Sequence, residues 1–371
     1  MNTFTLFSVF DALSVDRLYG WLSFGVSAVV VLAVLIVVHE LGHFLTARLV
    51  GVRVEKFSIG FGRKVYGWRR GETEYMLSWV PLGGYVKFYG DDPDVDVEDE
   101  KDSFLNQEVW KRLLIVAAGP VSNILLAIVI ASAAAMIGLP EGSRIIDTVK
   151  ENSPAMEAGL TPGDRIEAIN GVPMESWGQV RETIQGLPGK DVEIEVLRES
   201  GERVSLTIVP EVRKEKTIDG KEITIGLIGV TPRQVIKSYP PGEAIIKGAV
   251  WTWNISALTV WSIAKMVSRD IPADQIAGPI GIMKIAGEAA ELGFVNLLIF
   301  IAIISVNLGI LNLLPIPILD GGHIFFFSAE ALLGRPIKMK TQEIAQQIGL
   351  FLLISLMVFA FYNDIMRLVK G

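Results

Sequence analysis

Four long apolar runs divide the sequence and predict helices that cross a membrane. They extend from about Trp21 to Ala47, from Leu113 to Leu139, from Phe294 to Leu314 and from Ile348 to Phe361. Apolar stretches on this scale suit the hydrocarbon core of a bilayer, which is about 30 Å thick. We therefore expect a polytopic α-helical membrane protein with four transmembrane helices.

A region of different character separates the second run from the third. The segments RIIDTV, DRIEAI, DVEIEVLR and RVSLTIVP alternate apolar and polar residues, which is typical of half-buried strands. SPAMEAGL and SWGQVRETIQ predict short helices between them. We expect an α+β domain over residues 141–212, followed at 213–293 by further strands and a long helix.

The long helix at 243–268 has two interpretations. It is long and apolar enough to pass for a span, but it carries three tryptophans, which favour the membrane surface. A further single crossing here would also place Asp320 on the opposite side from the histidines of the first run. We therefore expect this helix to lie along the interface.

The distribution of basic residues predicts the orientation. Residues 48–112 are rich in lysine and arginine, and a second basic loop follows the third run at 335–340. The positive-inside rule places both segments in the cytoplasm. The N-terminus and the domain at 141–212 are then extracytoplasmic.

Within the first basic segment, RKVYGWRRGETEYMLSWVPLGGYVKFYG predicts a β-hairpin near residues 64–89. Arg70-Gly71 and Leu82-Gly83-Gly84 are its turn signals. Its aromatic content suggests a hairpin associated with the cytoplasmic face of the membrane. An exposed edge strand there could hold an extended substrate by strand addition. An ordinary surface hairpin is the alternative.

The amino-acid composition limits the possible metal ligands and binding partners. Half of the 371 residues are hydrophobic, yet 20% are charged, so much of the chain lies in water. Cysteine is absent, which excludes disulfides and thiolate metal ligands. The net charge of −7 gives no support to nucleic-acid binding.

The first apolar run contains the most informative motif, HELGH. His39 and His43 are two of the three histidines in the chain, and Glu40 follows the first of them. Residues four apart lie on one face of a helix, so the two imidazoles could bind one zinc ion. Glu40 is then placed to act as a general base. Ionisable groups inside a membrane are costly, so we interpret this cluster as functional.

The third zinc ligand has to come from elsewhere in the chain. The third run ends in NLLPIPILDGGH, whose prolines break the helix at membrane depth, where irregular backbone normally lines a cavity. Asp320 and His323 both lie on this segment, and we favour Asp320. Asn123, in the second run, either lines the same cavity or makes an interhelical hydrogen bond.

These motifs together resemble the site-2 proteases, which are intramembrane zinc metalloproteases. The resemblance rests on HELGH, on Gly60-Phe61-Gly62, on the domain inserted after the second run, and on Asn312 through His323. It implies that Zn²⁺ binds His39, His43 and Asp320, and that Asn312 helps to stabilise the transition state. It also implies that the hairpin adds a strand to the substrate, with His323 outside the ligand set.

The string SPAMEAGLTPGDRIEAINGVP resembles PDZ domains of the bacterial protease type. Such a domain captures extended peptides or acts as a steric gate. The predicted organisation is 1–48 for the N-terminus and first transmembrane helix, 49–109 for the cytoplasmic-side loop with its hairpin, 110–140 for the second transmembrane helix, 141–212 for the PDZ domain, 213–293 for the β extension and interfacial helix, 294–323 for the third transmembrane helix and LDGGH motif, and 324–371 for the cytoplasmic loop and fourth transmembrane helix.

The function expected from this resemblance is cleavage of transmembrane segments in the bacterial inner membrane. Expected substrates are single-span membrane proteins, such as an anti-sigma factor, or remnant signal peptides. Two other classes compete with this interpretation: a catalytically silent scaffold that binds peptides, and a metal transporter. The intact Glu40 argues against the scaffold, and the HExxH arrangement beside a peptide-binding domain argues against the transporter.

Overall fold

The computed structural model describes residues 15–91, 100–217, 222–270 and 277–370. Its helices are α1 (Val15–Leu49), α2 (Val109–Ile137), α3 (Pro154–Glu157), α4 (Trp177–Gln185), α5 (Pro241–Val267), α6 (Pro279–Glu291), α7 (Phe294–Asn312), α8 (Asp320–Leu333) and α9 (Met339–Lys370). Its strands are β1 (Val54–Arg70), β2 (Thr73–Phe88), β3 (Leu139–Val149), β4 (Arg165–Ile169), β5 (Val172–Pro173), β6 (Val192–Leu197), β7 (Arg203–Ile208), β8 (Glu211–Lys216), β9 (Glu222–Leu227) and β10 (Val230–Lys237). The predicted extracytoplasmic N-terminus falls on residues 1–14, which lie outside the described residues.

Four helices in the described part of the chain are long and apolar enough to cross a membrane. They are Val29–Leu49 within α1, Val109–Ile137, Phe294–Asn312 and Met339–Arg367. This confirms the four apolar spans that the hydropathy pattern predicts. The fourth helix extends beyond the predicted run, Ile348 to Phe361, at both ends. Helix α5 is not among the four, and its interfacial position stays a prediction.

The chain forms two compact units, residues 1–134 with 241–371, and residues 135–240. In the first unit, α5 packs closely on its helical neighbours. A Cβ on Gly248 would lie 2.3 Å from Ser132 Oγ on α2. Thr259 Oγ1 donates a hydrogen bond to Asn307 Oδ1 on α7 at 2.9 Å.

Strands β1 and β2 form one sheet in which the start of β1 is paired on both sides. Phe57 on β1 pairs with Val86 on one side and with Tyr75 on the other, so this part of β1 lies between two parts of β2. The turn predicted at Arg70-Gly71 is confirmed, since Arg70 pairs with Thr73.

The second turn signal, Leu82-Gly83-Gly84, lies where β2 reverses direction. On one side of β1, Phe57 and Ile59 pair with Tyr75 and Leu77, and on the other side they pair with Val86 and Gly84, so the order of the partners is reversed. The predicted turn between Leu77 and Gly84 is therefore confirmed. Its glycines are also needed for close packing. A Cβ on Gly83 would lie 1.8 Å from the Phe61 ring, and a Cβ on Gly84 would lie 2.9 Å from the Ser58 carbonyl oxygen.

The second unit is built around an antiparallel sheet. Its strand order is β10-β3-β4-β6-β7, with β5 paired to β4, while β8 and β9 form a separate pair. The four strands and two helices predicted between residues 144 and 210 are confirmed. Ser153 and Ser176 begin the two helices as N-caps, each accepting a backbone N–H hydrogen bond. The unit extends beyond the predicted 141–212, because β10 pairs with β3.

Candidate metal centre

Helix α1 presents two buried imidazoles on one face. His39 and His43 are each 8% exposed, and their Nε2 atoms lie 3.2 Å apart. The spacing of four residues is what brings both rings to the same side of the helix.

Asp320 reaches these imidazoles from the first residue of α8. The chain packs tightly on itself just before this helix, since a Cβ on Gly321 would lie 2.2 Å from the Leu314 carbonyl oxygen. Asp320 Oδ2 lies 3.1 Å from His39 Nε2, and Oδ1 lies 3.5 Å from His43 Nε2. A carboxylate in the first turn of a helix is also favoured by the helix dipole.

The three side chains fit a zinc ion by chemistry and by spacing. Their ligand atoms all lie within 4.8 Å of one another. Tetrahedral zinc with bonds of about 2.0–2.1 Å requires ligand atoms about 3.3 Å apart, close to the separations given above. Asp320 Oδ2 is buried, and besides the imidazole of His39 it has no hydrogen-bond partner among the described residues, as expected of an atom that would face a cation.

Helix α2 contacts the far side of both imidazoles. His43 Nδ1 donates a hydrogen bond to the Ile115 carbonyl oxygen at 2.8 Å. Asn123 Nδ2 lies 3.2 Å from His39 Nδ1. Histidine ligands in metal sites commonly use their second nitrogen in this way, which orients the ring. The sequence placed Asn123 near the site only as one of two alternatives, and it gave no signal for Ile115.

Glu40 lies beside the metal group and borders a cavity of about 950 Å³. His39, His43 and Asp320 line the same cavity, and so do Tyr85 and Val86 of β2. The backbone N–H of Val86 faces the Glu40 carboxylate. The cavity therefore brings a candidate base, a candidate metal site and a strand edge together.

Two other predicted residues occupy different positions. His323 lines the cavity but does not belong to the cluster of possible ligands, and its ring centre lies 6.2 Å from that of Phe327. Asn312 is the last residue of α7 and is not among the cavity-lining residues, so its role stays a prediction.

A largely buried ion pair, which the sequence did not predict, joins α2 to α8. Arg112 donates two hydrogen bonds to Glu330, at 3.1 and 2.6 Å. Its guanidinium also lies 4.8 Å from the centre of the Phe327 ring. The pair connects the helix that contacts both imidazoles to the helix that carries Asp320.

Comparison with known proteins identifies the family to which this chain is similar. Residues 27–356 match the family described as Peptidase family M50. A Rhizobium meliloti protein named as a putative zinc metalloprotease is 38% identical over 352 residues, covering 90% of this chain and 94% of the relative. The regulator of sigma-E protease RseP of Escherichia coli is 33% identical over 449 aligned residues, covering 92% of this chain and 98% of the relative.

The chain belongs to Peptidase family M50, the site-2 protease family. The resemblance drawn from the sequence motifs is thereby confirmed. The protein is a metalloendopeptidase, and zinc is its metal.

Proposed function

We propose that this protein is an intramembrane zinc endopeptidase that cleaves transmembrane segments of single-span membrane proteins. The observation that carries the proposal is the convergence of His39, His43 and Asp320 beside Glu40, in a unit whose long helices are apolar enough to lie in a bilayer. Membership of the site-2 protease family supports the same conclusion.

In the proposed mechanism, His39, His43 and Asp320 hold the zinc ion. Bound zinc supplies Lewis acidity, which polarises a carbonyl group and lowers the pKa of water. Glu40 accepts a proton from the attacking water and returns it to the nitrogen of the leaving amine. The Asn312 amide donates a hydrogen bond to the developing oxyanion.

We further propose that the substrate lies extended along β2. A helical substrate hides its peptide bonds, and pairing with a strand edge would expose them. The segment of β2 at Tyr85 and Val86 borders the cavity that contains Glu40, which supports this placement.

The remaining parts of the proposal concern location and substrates. We place the protein in the bacterial inner membrane, with the N-terminus and the unit at 135–240 outside the cytoplasm, and we interpret that unit as a PDZ domain. One relative is named a regulator of sigma-E protease, which supports an anti-sigma factor as substrate. Remnant signal peptides are the alternative substrate.

The test uses the full chain in detergent with a single-span substrate, comparing wild type with Glu40→Gln. We expect the variant to keep its zinc and to lose cleavage by about 10²–10⁴-fold, the usual contribution of a general base. Cleavage by the variant at the wild-type rate would contradict the mechanism. Zinc binding without cleavage by wild type, across several single-span substrates, would favour a scaffold or a transporter.

A further inference from the structure

We propose that Asn123 is a positioning residue for His39, and that its side-chain oxygen accepts a hydrogen bond from His39 Nδ1–H when zinc is bound. This inference rests on the proposed function and deepens the same site.

Asn123 is fully buried in the middle of α2. Its backbone carbonyl accepts a hydrogen bond from Ser305 Oγ on α7 at 2.7 Å, which fixes the position of the residue between two helices. Its side chain faces His39, with Nδ2 at 3.2 Å from Nδ1. The side-chain oxygen, Oδ1, is buried and has no hydrogen-bond partner among the described residues.

An unpartnered buried carbonyl oxygen is costly, and a half-turn of the amide would give this oxygen a donor in His39 Nδ1–H. The oxygen and nitrogen of an asparagine amide have nearly the same shape, so the two orientations pack alike. With Nδ2 toward His39, the imidazole accepts at Nδ1 and a neutral ring carries its proton on Nε2. With Oδ1 toward His39, the proton lies on Nδ1 and the Nε2 lone pair is free for a metal.

His43 shows the arrangement that a ligand requires. Its Nδ1 contacts the Ile115 carbonyl oxygen, which can only accept, so its Nε2 lone pair faces the metal group. Ile115 and Asn123 lie on the same helix, which therefore contacts both imidazoles. By the same logic, Asn123 has to present an acceptor to His39.

Two substitutions of Asn123 distinguish a hydrogen bond to His39 from a role in packing alone. Asn123→Leu keeps most of the volume and removes the hydrogen bond. Asn123→Asp keeps an acceptor at the same place and removes the amide donor. Ser132→Ala is the matched control, because Ser132 lies on the same helix and donates its hydrogen bond within that helix, to the Ile128 carbonyl oxygen.

The experiment measures zinc affinity of the full chain by competition with a chelator, and the absorption spectrum of the cobalt-substituted protein. We expect Asn123→Leu to weaken zinc binding by about 10–100-fold and to change the cobalt spectrum. Asn123→Asp and Ser132→Ala should bind zinc nearly as wild type does. Wild-type affinity in Asn123→Leu, or equal weakening in Asn123→Asp and Asn123→Leu, would overturn the proposal.

If Asn123→Leu does not fold, Asn123→Asp tests the proposal alone. Zinc affinity should fall in Asn123→Asp if His39 needs a hydrogen-bond donor from this residue, and it should be retained if His39 needs an acceptor. A His39→Ala variant that binds zinc as tightly as wild type would instead contradict the proposed metal site. The positioning role of Asn123 and the proposed metal site are therefore contradicted by different measurements.

Discussion

At the scale of single residues, Gly119 determines how closely α2 approaches the metal group. A Cβ at this position would lie 2.3 Å from His43 Nε2 and 2.9 Å from His39 Cε1. No side chain fits in that space without moving an imidazole. Gly119, a small residue of the second apolar run, therefore leaves space for the two imidazoles and also allows close helix packing.

Gly119→Ala should therefore displace the imidazoles and reduce zinc affinity, by about 10–100-fold if the effect matches that of other orienting contacts. Zinc content of the purified protein measures this. Gly242→Ala is the control, because a Cβ on Gly242 meets no atom within 4 Å. Full zinc content in Gly119→Ala would show that the site tolerates the displacement.

At the scale of elements, the edge of β2 determines how a substrate could be held. The Val86 N–H faces the Glu40 carboxylate at the border of the cavity, so a chain bound there would meet this edge of the strand. Proline at an edge position with an outward N–H costs a sheet little.

Val86→Pro should slow cleavage about fivefold, because it removes the N–H that faces the Glu40 carboxylate at the strand edge, and one hydrogen bond is worth about 1 kcal/mol. Zinc content should not change. Val86→Ala, which keeps the N–H, should cleave at nearly the wild-type rate. If both variants are equally slow, the side chain and not the strand edge is what matters.

The ion pair between Arg112 and Glu330 connects two elements of the site and gives a second prediction. Removing one partner of a buried pair leaves a charge without compensation, so Arg112→Met should destabilise the fold by about 3–5 kcal/mol. The double variant Arg112→Met/Glu330→Met should recover most of that loss. Unfolding in detergent measures both, and a double variant as unstable as the sum of the single ones would contradict the coupling.

At the scale of the whole molecule, the two compact units are separable in sequence. The unit at 135–240 is one continuous segment, and its ends meet, because the Tyr239 N–H donates to the Ala135 carbonyl at 3.0 Å. All residues of the metal group belong to the other unit.

Replacing residues 135–240 with a short Gly-Ser linker should leave zinc binding and cleavage of a short single-span substrate intact. A substrate with a large extracytoplasmic domain should then be cleaved faster if the unit is a steric gate, and more slowly if it captures peptides. Loss of zinc from the shortened protein would show that the units are not independent.

Metal removal acts on the whole enzyme. Dialysis against a zinc chelator should abolish cleavage, and added Zn²⁺ should restore it, because the metal supplies the Lewis acidity of the reaction. Cleavage that survives complete removal of zinc would contradict a metal-dependent mechanism.

The sequence by itself determined the features that depend on local spacing. Apolar runs predicted the four candidate spans, since crossing a bilayer requires length and apolarity alone. HELGH placed two imidazoles on one helix face, since the helix period fixes residues four apart. Strand alternation predicted most of the sheet in the unit at 135–240.

Only the tertiary structure decided the contacts between distant segments. It brought Asp320 rather than His323 to the two imidazoles, and it showed Asn123 and Ile115 behind them. It also showed that Gly83, in the predicted turn, packs against the Phe61 ring. The physical reason is common to these cases: local patterns set the period of each element, whereas its neighbours are set by how whole helices and strands pack.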